Sequence, residues 1–247
     1  MFVSSVFNVH RFIFLCTLAL CGCVPIDSSE PESLSEHQSG PTLVVASFNV
    51  SMEATNYLGR EAEDATSEEL ARRLADGFDP QIKNIAEIIQ RTRPDIILLN
   101  EFDYIADPAR GVQAFIKNYL NISQTNAEPI DYPYYYVETV NTGEPSPFDL
   151  DKDGVASGSK NDAWGFGYFP GHYGMVLLSR YPIEKSAVRT FQHFRWKDMP
   201  GALVPGTKED GNWYSDEAWA EFRLSSKSHW DIPVNVHGKM IHMLASH

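Results

Sequence analysis

Two apolar runs on either side of a helical stretch do most to limit what this chain can fold into. Leu43-Val44-Val45-Ala46-Ser47-Phe48-Asn49-Val50 and Pro94-Asp95-Ile96-Ile97-Leu98-Leu99-Asn100-Glu101-Phe102 each have the near-continuous apolar character of a strand buried inside a sheet. Between them, Thr66-Ser67-Glu68-Glu69 has the pattern of a capping box and opens a short helix that stops at Gly77. Asp79-Pro80 then supplies an N-cap and a proline at the first helical position. Ile82, Ile85, Ile88 and Ile89 follow at helical spacing and form an apolar stripe, which Pro94 ends. The result is a strand–helix–strand unit, the pattern of folds that layer helices on a sheet.

Each of these strands ends on a polar residue, Asn49 in the first and Glu101 in the second. An apolar strand has no structural need for a carboxylate at its tip. Glu101 suits Mg²⁺ or Mn²⁺, hard cations that take oxygen ligands and keep several waters; the competing reading is a salt bridge at a sheet edge. Asn49 suits donation to a phosphoryl oxygen or orientation of water, and equally the satisfaction of loop backbone.

Further along, Val112 to Leu120 reads as a short helix and Tyr134 to Val140 as a strand. Asn141 to Gly171 is rich in Gly, Asp and Pro and reads as a long loop, a length that is usually functional or mobile. Tyr173 to Leu178 is a strand closed by Ser179-Arg180-Tyr181-Pro182. Arg189 to Gly211 is irregular, and Trp213 to Leu224 fits helix or strand. Ile241 to Ala245 is a last apolar strand, followed only by Ser246-His247. A domain that stops flush with a core strand reads as an incomplete chain.

Several residues in this half invite chemistry. His247 at a strand end suits hydrogen bonding to a phosphoryl oxygen or proton transfer, although a lone histidine is also an ordinary structural residue. Asp149-Leu150-Asp151-Lys152-Asp153-Gly154 has the D-x-D-x-D-G pattern of a calcium loop. Its twelfth position is Lys160 where an EF-hand needs Glu, so the choice is a lone structural Ca²⁺ site or a solvated acidic turn. His172 precedes a strand and reads as a rim or turn residue. His193, His229, His237 and His242 have no metal-ligand spacing. Tyr132, Tyr134, Tyr135 and Tyr136 suit stacking on a substrate or a split between core and surface by strand alternation. Lys227 and His229 suit a phosphate group or a solvated strand end.

The N-terminus reads as an export signal. Arg11 precedes the apolar run Phe12 to Leu20, which is too short to span a bilayer comfortably. Leu20-Cys21-Gly22-Cys23 matches a bacterial lipobox, with cleavage before Cys23 and lipid on its thiol; a plain cleaved signal or a short anchor are the alternatives. Residues 1–22 are therefore expected to be a signal peptide, 23–41 a polar tether and 42–247 the folded domain, held at the bacterial cell envelope or secreted. All three cysteines, Cys16, Cys21 and Cys23, lie in the first 23 residues, so the rest of the chain has neither a disulfide framework nor a cysteine zinc site. The net charge of −13 repels polyanions at long range and weighs against tight, nonspecific binding of long nucleic acid. It leaves phosphate chemistry open, because a bound cation inverts the local charge.

Four segments together resemble the endonuclease/exonuclease/phosphatase superfamily, the fold of deoxyribonuclease I and neutral sphingomyelinases. They are ASFNV with Asn49, RPDIILLNEFD with Glu101, YGMVLLSRYPI with Arg180 and IHMLASH with His247. The Asp-Leu-Asp loop and the segment Gly165 to Gly174 also resemble a bacterial secreted branch of it. The resemblance implies a four-layer α/β sandwich of two mixed sheets and divalent-metal-dependent hydrolysis of a phosphoester. It implies that Glu101 binds the metal, that Asn49 helps to bind metal or phosphate, that His247 is the catalytic histidine of the middle motif and that Arg180 is structural. The family pattern continues with an Asp-x-Asn motif and a final Asp-His pair, which do not follow here. The 247-residue chain is accordingly expected to be inactive by itself and monomeric. A non-catalytic, calcium-stabilised surface binding protein is the alternative, with a paired-carboxylate glycosidase a more distant one.

Overall fold

The computed structural model describes residues 42–59, 64–158, 160–207 and 211–247. The leader, Cys23 and the polar tether lie outside the described residues.

Strand β1 (Val45–Met52) pairs in parallel with β2 (Ile96–Phe102). The crossover holds α1 (Ala54–Leu58), α2 (Glu68–Asp76) and α3 (Pro80–Thr92). Helix α3 starts as its sequence dictates: the Asp79 carboxylate accepts from the Ile82 amide at 3.0 Å, with Pro80 at the first turn. Helix α2 stops at Gly77, whose φ of +72° is left-handed. The capping box does not form. The Ser67 side chain makes no cap bond, and Glu69 is engaged instead by Arg72 and Arg73, 2.8 and 2.7 Å away.

After α4 (Val112–Phe115), which continues as a π-helical turn over Ile116–Leu120, come β3 (Tyr134–Val137) and β4 (Met175–Ser179). These strands form one sheet in the order β1-β2-β4-β3. A second sheet has β8 (His229–Val236) between β5 (Arg189–Thr190) and β9 (Lys239–Ser246). A small pair, β6 (Gly206–Thr207) with β7 (Gly211–Asn212), and helix α5 (Asp216–Glu221) lie in the connection.

Strand alternation separates two cores. Ile97 and Leu99 of β2, with Val176 and Leu178 of β4, face the helices, against Leu74, Ile82, Ile89, Phe115 and Tyr119. Ile96, Leu98, Met175 and Leu177 face the second sheet, against Trp230, Ile232, Val234 and Ala245. Burying each of these large side chains contributes roughly 1.5–3 kcal/mol. The chain is thus the mixed α/β fold with two sheets that the resemblance implies, and its described residues stack helices, sheet and sheet.

Three expectations need correcting. Among the described residues the first strand is an edge strand, and it is not buried on both faces. Ala46 and Phe48 pack on the helical core, while Val45, Ser47 and Asn49 are exposed on the opposite face. Strand β3 stops at Val137 rather than Val140. Of strand β8, only a solvated strand end at Lys227 and His229 was offered, as one alternative.

Candidate active site

Residues from four segments converge at the C-terminal ends of β1 and β2. The β1–β2 register is regular as far as Asn49↔Asn100 and then shifts before Met52↔Phe102. Between these pairs β1 has two residues to one on β2, and Ser51 (φ +47°) and Glu101 (φ +59°) both turn in left-handed conformations. Donors from the crossover helices hold this irregularity in place. The Ser51 carbonyl accepts from Asn56 Nδ2 at 3.0 Å and Gln81 Nε2 at 3.1 Å.

The oxygens of this turn point to one place. Ser51 Oγ lies 3.3 Å from Asn49 Oδ1 and 3.4 Å from Glu101 Oε2. Asn49 Oδ1 also accepts from the Ser51 amide at 3.1 Å. The local role expected as an alternative for Asn49 is therefore real. It is compatible with a ligand role, because a Ser51 hydroxyl turned towards Glu101 leaves Asn49 Oδ1 a lone pair. At the end of β9, His247 Nε2 stands 3.9 Å from Glu101 Oε1, with both side chains about a quarter exposed (27% and 25%). Asn49, Glu101 and His247, widely spaced in sequence, are thus brought together. A half-buried carboxylate beside an amide and a hydroxyl oxygen is an all-oxygen donor set that fits Mg²⁺ or Mn²⁺, which take one or two carboxylates and fill the remaining positions with water.

Lys227 joins them from the segment ahead of β8. Its Nζ lies 5.7 Å from the centre of the Tyr173 ring. Burial lowers the affinity of this ammonium for its proton, against the pull of Glu101. Burial likewise holds the His247 pKa below its usual value; the Lys227 charge adds to this and Glu101 opposes it. The 223–227 segment is clamped by the long loop. The Asn141 amide donates to the Lys227 carbonyl at 2.9 Å, and Asn141 Nδ2 to the Ser225 carbonyl at 2.8 Å. A Cβ on Gly165 would come within 2.0 Å of the Ser226 carbonyl, so only glycine lets the two strands of chain approach.

A buried polar layer beside these strand ends was missed by sequence reasoning. Asp103, fully buried, accepts from the Ala54 amide at 2.7 Å and the Tyr173 amide at 3.0 Å. Burial keeps its pKa well above the ordinary aspartate value, and the charges of Glu53 and Glu101 add to the rise. His172 does sit in the turn before β4, as expected, but it does not line a rim. It is completely buried, stacked between Phe169 and Tyr173, and its Nε2 lies 2.9 Å from Glu53 Oε2. The Tyr168 amide donates to His172 Nδ1 at 3.3 Å, which places the ring proton on Nε2, facing Glu53. Glu53 also accepts from the Thr55 amide at 2.7 Å and hydroxyl at 2.6 Å. Only the histidine itself was visible as a signal; its partner is 119 residues away.

The remaining candidates lie elsewhere. Arg180 Nη1 meets Asp95 Oδ1 at 3.1 Å, at the opposite end of β2, in the structural role expected. Tyr132 hydrogen-bonds the Pro94 carbonyl at 2.8 Å, and Tyr136 packs edge-on against Trp230, so the tyrosines divide between core and edge. His242 pairs with Asp231 at 2.6 Å, while His229 lies opposite Ser246 in the β8–β9 register. Asp149, Asp151 and Asp153 do come together, with one oxygen of each within 4.8 Å of the others. Asp149 Oδ1 is buried without a hydrogen-bond partner, an orphaned acceptor that a cation would satisfy.

The model of the Endonuclease/Exonuclease/phosphatase family matches residues 46–234, which include Asn49 and Glu101. The chain belongs to that family. No curated protein sequence matches it significantly. Among solved structures it is similar to a family member from Leptotrichia buccalis C-1013-b (12% identity, TM-score 0.38, 83% of this chain and 55% of that one). It is similar as well to an endonuclease/exonuclease/phosphatase from Beutenbergia cavernae DSM 12333 (17%, TM-score 0.37, 82% and 37%). A third is a beta toxin variant from Staphylococcus aureus with bound magnesium ions (17%, TM-score 0.32, 83% and 49%). The chain spans between 37% and 55% of the length of these structures.

Proposed function

We propose that the chain carries the metal- and phosphate-binding part of a divalent-metal-dependent phosphoester hydrolase. The observation that supports this best is the meeting of Asn49, Ser51, Glu101 and His247 at adjoining strand ends, in a family whose nucleases and phosphatases all cleave phosphoester bonds. Glu101 and Asn49 hold Mg²⁺ or Mn²⁺. When bound, the ion neutralises charge developing on the phosphoryl oxygens. The lowered pKa of His247 leaves its ring neutral near pH 7, with one N–H to donate to a phosphoryl oxygen. Catalysis of this kind consists mainly of positioning and charge stabilisation. The acidic surface favours small phosphoesters, sugar phosphates or lipid headgroups over long nucleic acid. In this reading Cys23 carries a lipid that holds a monomer at the bacterial envelope, and Asp149, Asp151 and Asp153 hold a structural Ca²⁺.

The test is Mg²⁺-dependent hydrolysis of 4-nitrophenyl and bis-4-nitrophenyl phosphate by protein expressed from its whole reading frame. Loss of an outer-shell partner costs about 10–100-fold in metal affinity or activity, so Glu101→Ala, which removes a direct ligand, is expected to cost at least that. Normal Mg²⁺-dependent activity in this variant would refute the assignment. Ca²⁺ binding with no Mg²⁺ response at Glu101 would favour the non-catalytic binding protein.

A further inference from the structure

We propose that Lys227 is the phosphate-anchoring cation of this site, its ammonium bonding non-bridging oxygens of the substrate's phosphoryl group. This rests on the phosphoesterase reading above.

The backbone at Lys227 is fixed, while its head group is left unengaged. The carbonyl is held by Asn141 and the amide by Ser225 Oγ at 3.3 Å. Nζ itself makes no hydrogen bond or ion pair within 4 Å among the described residues and stands over the Tyr173 ring. A partly desolvated ammonium with three unused donors is a costly feature. Shortage of counter-charge does not explain it, since the chain has 33 acidic residues against 20 Lys and Arg. The β8–β9 register pairs His229 with Ser246, which sets Lys227 at the strand end that carries His247.

The bland alternative is that the lysine stem covers Tyr173 and the ammonium goes to water. That arrangement would be indifferent to phosphate. Tyr173 is itself a prepared surface: its hydroxyl lies 3.4 Å from Thr55 Oγ1, and its ring stacks on His172 with centroids 3.6 Å apart. The stem therefore rests on a fixed wall and offers a charge of defined position. A lone ammonium of this kind binds phosphoryl oxygens as a point charge.

The experiment is calorimetric titration of the 247-residue chain with inorganic phosphate, with and without Mg²⁺, for wild type, Lys227→Met, Lys227→Arg and Glu101→Ala. Methionine keeps the apolar stem and removes the charge. Thermal melts establish that each variant folds, and Lys227→Gln replaces Lys227→Met should that variant unfold. Lys227→Met is expected to weaken phosphate about 10–100-fold, the size of one charge-assisted hydrogen bond, with Mg²⁺ affinity unchanged or slightly higher. Lys227→Arg should restore most of the binding. Equal phosphate affinity in Lys227→Met and wild type would overturn the proposal, as would no measurable phosphate binding by Mg²⁺-loaded wild type. The phosphoesterase reading fails separately, in the titration with Mg²⁺ alone, if Glu101→Ala binds the ion as well as wild type does.

Discussion

Replacing His172 with phenylalanine isolates the buried polar layer beside the candidate site. Phenylalanine keeps the stack between Phe169 and Tyr173, whose centroids lie 4.5 and 3.6 Å from that of the imidazole, and removes both ring nitrogens. Two bonds are lost. Glu53 Oε2 loses the donor 2.9 Å away, and the Tyr168 amide loses its acceptor. A hydrogen bond to a charged group contributes about 1.5–3 kcal/mol, and an orphaned buried donor costs about 1 kcal/mol or more. The Glu53 carboxylate keeps its Thr55 contacts, so the loss is partial; the expected cost is about 3 kcal/mol. For a domain of this size each kcal/mol moves Tm by about 2–4 °C, which predicts a fall of roughly 6–12 °C.

The pH dependence distinguishes a lost charge interaction from lost packing. Burial alone would raise the Glu53 pKa, but the bonds from His172 and Thr55 outweigh it and hold it below the ordinary 4.5. A depressed carboxylate pKa stabilises the fold fully above about 4.5, and that stability is lost as the pH falls through the folded value. Without His172 the larger of these hydrogen-bonding contributions is gone while burial remains. The difference between wild type and variant should then be largest near neutral pH and shrink below about pH 4. Urea denaturation at several pH values measures it. A cycle with Glu53→Gln should give a coupling of about 1.5–3 kcal/mol. Additive single variants, or a pH-independent loss, would refute the argument.

Calcium should stabilise the fold, and so raise Tm, according to the loading of the loop at Asp149, Asp151 and Asp153, by about 2.7 kcal/mol of free energy at a hundredfold excess over Kd. Asp151→Asn should abolish the gain, and a Tm indifferent to Ca²⁺ in wild type would remove the site. Ser51→Gly should stabilise the fold by about 1 kcal/mol, by relieving a left-handed residue, yet weaken Mg²⁺ several-fold by deleting the hydroxyl between Asn49 and Glu101. Denaturation and calorimetry on the same samples read the two effects.

The strand–helix–strand unit was legible because local signals agreed: a cap at Asp79, an isoleucine stripe and two apolar runs. Strand β8 was not. Pro233 argues against a strand, and the alternation of Trp230, Ile232 and Val234 gains meaning only once β4 lies opposite. The edge position of β1 was hidden because an apolar run does not say how many neighbours it will have. Asn49, Glu101 and His247 could be singled out since polar residues ending apolar strands are conspicuous. Glu53 and Asp103 could not, since their burial depends on partners more than a hundred residues away in one case and on loop backbone in the other.

The conformation of the strand ends argues against a purely structural Glu101. Ser51, Glu101 and Tyr173 all have positive φ, at +47°, +59° and +55°, and each such residue costs of order 1–2 kcal/mol. The surroundings over-determine them. The Phe102 amide donates to the Gly174 carbonyl, the Tyr104 amide to Gly171 and the Asp103 amide to Met52, while the Asp103 carboxylate binds the Ala54 and Tyr173 amides. A salt bridge at a sheet edge would need none of this, and Glu101 makes no ion pair with arginine or lysine within 4 Å among the described residues. The strain instead turns the Glu101 carboxylate away from the plain β2 alternation, which would have carried it to the helical face with Ile97 and Leu99. It is brought beside Ser51 and His247, where a cation and a phosphoryl group can meet.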